Sequence, residues 1–392
     1  MMTFRLNKSI LSAAVIAACS IPAYNANAGG TISFGEDKSV TVGFGFRGSF
    51  TAKEDAANGG KDYSQDFSLD NARIYLSGSL NQYIKGMFTY EEKPNIADNY
   101  SGATRDKVID ANVQLKVLPE LTVWVGRMLS PSDRANMAGP FYSLGGGWGG
   151  GDITARYSYN GGYIGRDDGV ALVGSFLNEK VTYAVGAYEG HKEFAISPLS
   201  PAQVLTLNNS TANQDDGLLY AGRVQVDFWD AEGATLYGTG DYRGGKDILA
   251  VGLSGKTQKN GASVIGQNAD YNQYSADFLL EKKDVGPGAV HLEAAYYDYD
   301  TDGAILSEQG KAYSAGAGYI FKEKVGWGQI QPFTRYQKFD SDAVATTERK
   351  YDLGVAYIIE AYNAEITGTY TNDKLQNLSS TDKFMVSTQF QF

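Results

Sequence analysis

The sequence predicts an all-β fold, a transmembrane antiparallel β-barrel of sixteen strands. Three observations carry that expectation: strict alternation of apolar and polar residues, connections that alternate between short and long, and a strand pattern that runs to the last phenylalanine. The final stretch is KFMVSTQFQF, residues 383–392. Phe384, Val386, Phe390 and Phe392 alternate there with Met385, Ser387, Gln389 and Gln391, the period of two that a strand imposes. In water, an apolar face on an unpaired end strand invites aggregation. In a closed barrel the last strand pairs with the first, and Phe384, Val386 and Phe390 face lipid.

The same alternation recurs upstream. NARIYLSGSL sets Ala72, Ile74, Leu76 and Leu80 against Asn71, Arg73, Tyr75 and Ser77, and DANVQLKV sets Ala111, Val113, Leu115 and Val117 against Asp110, Asn112, Gln114 and Lys116. RVQVDFW sets Val224, Val226 and Phe228 against Arg223, Gln225 and Asp227. VHLEAAYY sets Val290, Leu292, Ala294 and Tyr296 against His291, Glu293, Ala295 and Tyr297. One dry and one wet face per strand is the signature of a barrel with a polar lumen. The inward set, predicted to line a pore, includes Arg73, Lys85, Asp110, Lys116, Arg223, Asp227, Asp277, Glu281, Glu293 and Arg335.

Connections at one end are short: 79–84, 117–121, 176–180, 284–289 and 360–365. At the other end they are long: 53–64, 94–107, 129–167, 190–217, 256–271, 300–310, 340–348 and 372–382. Short periplasmic turns opposite long outer loops are the layout of an outer-membrane barrel. The stretch 230–246, DAEGATLYGTGDYRGGK, reads as an elaborate periplasmic turn; read as a further hairpin, it raises the count to eighteen. No run approaches 18 apolar residues, so no membrane helix is expected. Among 392 residues, 47 glycines, 27 tyrosines and 18 phenylalanines against 9 prolines fit a strand-rich chain with many tight turns.

The N-terminal stretch places this barrel outside the inner membrane. Arg5 and Lys8 precede an apolar run from Ile10 to Ala18, and Ala26-Asn27-Ala28 forms a small-x-small cleavage site. Residues 1–28 are therefore expected to be a signal peptide and 29–392 the barrel domain. Ile16-Ala17-Ala18-Cys19 also fits a lipoprotein box, a competing reading that leaves Cys19 lipidated. Removing 28 residues leaves 364, with 32 basic and 45 acidic side chains, a net charge of −13. That balance argues against nucleic acid as a partner.

Several stretches resemble the phosphate-selective porin O and P family: FSLDNARIYLSGSLNQYIKGMFTYE, LPELTVWVGRMLSPSDRA, GRDDGVALVGSF, VTYAVGAYEG and QPFTRYQKFD. The resemblance implies a trimeric outer-membrane porin of a Gram-negative bacterium, with lipid and lipopolysaccharide around it. It also implies a third outer loop, 129–167, folded into the lumen as a constriction carrying Arg134, Trp148, Asp152 and Arg156. By the same resemblance Arg73, Arg134 and Arg335 stand near the channel. Likeness to outer-membrane proteins generally makes Phe392 and Phe390 a membrane-insertion signal. The sequence departs from the family in charge, because inward acids match inward bases; phosphate selectivity is not expected to carry over.

Two motifs have competing readings. SLGGGWGGGD lacks the lysine and hydroxyl that follow a phosphate-binding loop, and reads better as a loop bending in a narrow space with Trp148 as its plug. Asp298, Asp300, Asp302 and Gly303 have calcium-loop spacing, but the closing position holds Gln309. The readings are a weak calcium site or a solvated acidic loop, with the second favoured; no other cofactor is expected. Catalysis has little support, since His191 and His291 are the only histidines and no serine has an evident partner among them. The expected function is passive diffusion of small hydrophilic solutes or ions, with selectivity set by lumen charge. The alternative is a non-conducting barrel that sheathes a periplasmic or electron-transfer partner.

Overall fold

A computed structural model describes residues 29–35, 37–92, 108–147, 153–155, 165–190, 215–262, 268–304, 309–342, 347–375 and 380–392. The expected signal segment, 1–28, lies outside them. The first half of the chain forms β1 (Gly30–Ser33), β2 (Ser39–Lys53), β3 (Asp66–Ser79), β4 (Ile84–Glu92), β5 (Val108–Leu118), β6 (Leu121–Leu129), β7 (Arg166–Phe176), β8 (Val181–Tyr188) and β9 (Leu219–Asp227). The second half forms β10 (Ile248–Gln258), β11 (Tyr271–Val285), β12 (Gly288–Asp300), β13 (Gly310–Phe321), β14 (Gln329–Ser341), β15 (Thr347–Glu360), β16 (Ala364–Leu375) and β17 (Thr381–Gln391). One five-residue helix, α1 (Arg134–Ala138), lies in the third long loop.

Strands β2 to β17 close a sixteen-strand antiparallel barrel. Each pairs with the next in sequence, and β17 returns to β2 with Lys383 opposite Lys53 and Gln391 opposite Gly45. At the seam Phe44 and Phe392 exchange backbone hydrogen bonds of 2.9 and 3.0 Å. Strand β1 is not part of the wall. It pairs with β2 at Gly30 opposite Val42, beyond the point where β17 stops, so it continues the line of β17 with all four residues exposed. Residues 228–247 contain no strand, and the sixteen-strand count holds.

Alternation sorts side chains between two environments. In β17, Ser387, Gln389 and Gln391 are buried inside, while Val386 and Phe390 are about half exposed on the outer surface. Leu353 in β15 is 64% exposed, flanked in sequence by buried Asp352. Such an apolar outer face with a polar inner one is stable only where lipid covers the outside. Outward aromatics pair near both rims: Tyr336 with Tyr351 (4.8 Å) and Tyr370 with Phe384 (5.1 Å) toward the long loops. Phe176 with Tyr183 (5.3 Å) and Phe390 with Phe392 (6.0 Å) lie toward the short turns. Aromatic rings at both levels match the girdles that flank the apolar band of a membrane barrel.

The connection 228–247 departs from its expected form. It lies at the short-turn end, between β9 and β10, yet it folds back into the barrel instead of hanging below it; Leu236 and Asp241 in it are fully buried.

Two changes test this arrangement by folding titration in lipid vesicles. Leu353→Arg places a guanidinium on the lipid face near mid-strand, at an expected cost of about 2–4 kcal/mol. Deleting residues 390–392 removes the seam bonds at Phe392 and is expected to cut the folded, heat-modifiable fraction several-fold.

Candidate functional site

The inner wall holds the third long loop by its backbone. Arg47, Arg223 and Arg335 donate to the carbonyls of Pro140 (3.2 Å), Ser132 (3.1 Å) and Leu144 (2.6 Å). Gln389 adds a bond to the carbonyl of Phe141 (3.1 Å), and Lys256 reaches the hydroxyl of Ser130 (2.6 Å). Arg73 lies over the ring of Phe141 at 5.1 Å. A chain crossing a lumen has backbone groups without sheet partners, and these inward cations satisfy them. Asp133 caps α1, accepting from Asn136 N at 3.0 Å; burial pushes its carboxyl up from the ordinary range.

Glycine is required where this loop meets the wall. Gly145, Gly146 and Gly147 all have positive φ, between 63° and 68°. A Cβ at Gly145 meets the Phe333 ring at 2.3 Å, and one at Gly146 meets the Arg47 guanidinium at the same distance. The first half of the glycine run is thus a docking surface for the wall, with no cradle for phosphate.

The inner acids hold the second inward segment, 228–247. Asp227 accepts from Glu232 N (2.8 Å), Asp110 from the hydroxyl of Tyr237 (2.6 Å) and Glu281 from Tyr242 N (2.8 Å). Arg243 pairs with Glu365 and donates to the carbonyl of Ala361. The two segments also meet each other. Gly238 N donates to the carbonyl of Met137 (3.0 Å), and Gly240 N and Asp241 N both donate to that of Tyr142 (2.9 and 3.0 Å).

Arg134 joins all three parts. Its guanidinium pairs with Glu232 at 2.6 Å, donates to the carbonyl of Thr239 at 2.8 Å and reaches Gln225 on the wall at 3.1 Å. Its backbone N–H donates to Asp277 at 3.2 Å. Burial pushes the Glu232 carboxyl up, but the charge and hydrogen bonds of Arg134, with the hydroxyl of Tyr242, hold it below its usual 4.5. Beside this junction lies a cavity of about 560 Å³, lined by Arg134, Met137, Glu232, Tyr237, Tyr242 and Lys246 among others.

Every residue expected on the inner wall is placed there. Arg73 pairs with Glu91 (2.9 Å), Asp110 with Arg166 (3.2 Å), Arg223 with Asp277 (2.5 Å) and Arg335 with Asp352 (3.1 Å), all buried. Asp227 is buried and Glu293 half-buried. Lys85 and Lys116 share the inward parity of Thr89 and Asn112 and remain exposed toward the short-turn end. Of the constriction-loop residues only Arg134 is described; Trp148, Asp152 and Arg156 lie outside the described residues, as does His191. Asp298 and Asp300 run along β12, and Asp302 N–H turns back to Asp300 (2.8 Å); with Asp302 in the turn, the three do not gather as a ligand set among the described residues.

Sequence reasoning missed Arg47, Glu232, Tyr237, Tyr242, Arg243 and Glu365. Inward parity was the only sign for Arg47 and Glu365. The segment itself had a clearer signal: a connection from 228 to 247 at an end where other turns are a few residues long, rich in tyrosine and charge.

No family model matches the chain, and no curated protein matches it in sequence. Solved structures do. OprB of Pseudomonas putida aligns over 90% of this chain and 94% of its own, with a TM-score of 0.60 and 10% identity. An anion-selective porin from Comamonas acidovorans aligns over 91% and 100%, with a TM-score of 0.56 and 14% identity. The outer-membrane channel DcaP of Acinetobacter baumannii aligns over 92% and 99%, with a TM-score of 0.53 and 12% identity. At these identities the likeness establishes the fold alone, a closed antiparallel β-barrel. The phosphate-selective family itself finds no support in these matches.

A double-mutant cycle tests the junction. Glu232→Ala leaves a buried guanidinium short of its main partner and is expected to cost about 3–5 kcal/mol, while Arg134→Ala with Glu232→Ala costs much less than the two single losses together. Because the folded carboxyl of Glu232 lies below 4.5, its contribution is complete above that pH and fades as pH falls through the folded value. Denaturation midpoints measured from pH 7 downward are expected to show that loss in the wild type and not in Glu232→Gln.

Proposed function

We propose that this chain is an outer-membrane porin of a Gram-negative bacterium, a passive diffusion channel for small hydrophilic solutes or ions. The observation that carries the reading is a sixteen-strand barrel with a polar inner wall and two segments folded against it, beside which a cavity of about 560 Å³ opens at Arg134. Sixteen strands enclose a lumen wide enough to conduct unless it is filled. In this reading the third loop and the segment 228–247 form the constriction together. Trp148, Asp152 and Arg156 belong to the same loop.

The assembly is a homotrimer set in lipid and lipopolysaccharide, reached after signal cleavage near Ala28, with Phe390 and Phe392 as the insertion signal. Trimeric forms occur among proteins of this fold, as with OmpT of Vibrio cholerae, which supports the trimer. Charge selectivity is weak, because the buried arginines Arg73, Arg134, Arg166, Arg223 and Arg335 each face a carboxylate and add little net field. No reaction chemistry is assigned to the lumen.

Planar-bilayer recording tests the reading. Discrete conductance steps are expected, with a cation-to-anion permeability ratio within about threefold of unity under a KCl gradient. Replacing 231–245 with a short glycine-containing turn is expected to raise the unit conductance at least twofold. Correctly folded barrels that insert and never conduct, with or without the segment, overturn the channel reading in favour of a sheath.

A further inference from the structure

His291 has no role in the contacts described so far, and its surroundings are unusual. It is 2% exposed and stands opposite Glu281 in the ladder between β11 and β12, facing inward. Asp241 of the inward segment lies against both. Nδ1 of His291 is 3.5 Å from Oε2 of Glu281 and 3.7 Å from Oδ1 of Asp241, while Nε2 is 3.6 Å from Oε2 of Glu293 and makes no hydrogen bond. Thus neither ring nitrogen has a partner at ordinary hydrogen-bond length, although the ring is buried. Asp241, Glu281 and Glu293 form no ion pair with lysine or arginine among the described residues, and nearby Arg243 is turned toward Glu365. Three carboxyls around one imidazole make a site short of positive charge.

The geometry points to a divalent transition-metal site formed by Asp241, Glu281 and His291. Bonds of about 2.0–2.2 Å from nitrogen and oxygen place tetrahedral ligand atoms about 3.4 Å apart. The observed 3.5 and 3.7 Å are too long for good hydrogen bonds and close to that spacing. The three donor groups lie within 4.8 Å of one another. Their orientation is fixed by hydrogen bonds to both oxygens of each carboxylate: Asp241 accepts from Arg243 N (2.9 Å) and Gln331 (2.8 Å), and Glu281 from Tyr242 N (2.8 Å) and Gly244 N. Glu293, facing the other ring nitrogen, occupies the place of the carboxylate that orients a metal-bound histidine. One imidazole with two carboxylates suits zinc and its first-row neighbours better than calcium. Because Asp241 comes from the segment 228–247 and the other two from the wall, the ion staples the inward segment in place.

The full chain, refolded in detergent and stripped with a chelator, is titrated with Zn²⁺ by calorimetry and with Co²⁺ by visible absorption. One Zn²⁺ per chain and a tetrahedral nitrogen–oxygen Co²⁺ spectrum are expected. Asp241→Asn, Glu281→Gln and His291→Gln are each expected to weaken binding at least tenfold. Retained heat-modifiable mobility identifies the variants that fold, and Asp241→Asn leaves the wall unchanged. Zn²⁺ should also slow trypsin cleavage after Arg243 and Lys246 in the wild type and not in the variants. No binding below about 100 μM in the wild type, or equal binding by the folded variants, overturns the site and leaves His291 as an imidazolium among carboxylates. Binding without any change in cleavage overturns the staple.

Discussion

A strand inside a bilayer must find partners for all its backbone N–H and C=O groups, because no water is present to accept them. Here that constraint is met along sixteen antiparallel seams, and it fixes everything else. Once β17 has paired with β2 there is no free edge in the wall, and side chains have only two places to go. The greasy face that looks hazardous at the end of the sequence becomes the ordinary outer surface of the barrel. The polar face becomes the lining of an enclosed space, and its chemistry then governs what can be held there.

That lining is occupied by segments of the chain's own backbone. Inward arginines and glutamine bind carbonyls of the third loop, whereas inward carboxylates bind N–H and hydroxyl groups of the segment from the opposite end. The two kinds of charge therefore lean toward different segments, with Asp277 crossing over to the Arg134 N–H of the third loop, and they also neutralise one another across buried pairs. A charged wall is usually read as a field acting on solutes. In this barrel much of it is committed to positioning the two segments that fold inward.

Legibility followed the range of the interactions. Alternation is a local property with a period of two, so the strand class, inner and outer faces, and the inward parity of Arg73, Asp110, Arg223 and Arg335 could be read directly, whereas the count stayed between sixteen and eighteen. Whether a connection hangs outside or turns inward depends on partners far along the chain. Residues 230–246 have hydrophilic composition suited to either outcome; distant contacts decide it, such as Tyr237 meeting Asp110 and Arg243 meeting Glu365, across 127 and 122 residues. The glycine run showed the same limit. Its spacing favoured a bending loop over a phosphate loop, but the need for Gly145 and Gly146 comes from Phe333 and Arg47, which no local pattern reveals.

The inward segment also occupies a particular place in chain order. It joins β9 to β10, with eight barrel strands before it and eight after. Its anchors are drawn from both halves: Asp110 precedes it, and Glu281, Gln331, Ala361 and Glu365 follow it. Contacts of such separation carry a large loop-closure cost until the intervening chain is ordered. The segment has its full set of anchors only where both half-barrels are present around it, so a seated segment is a physical sign that the cylinder is complete.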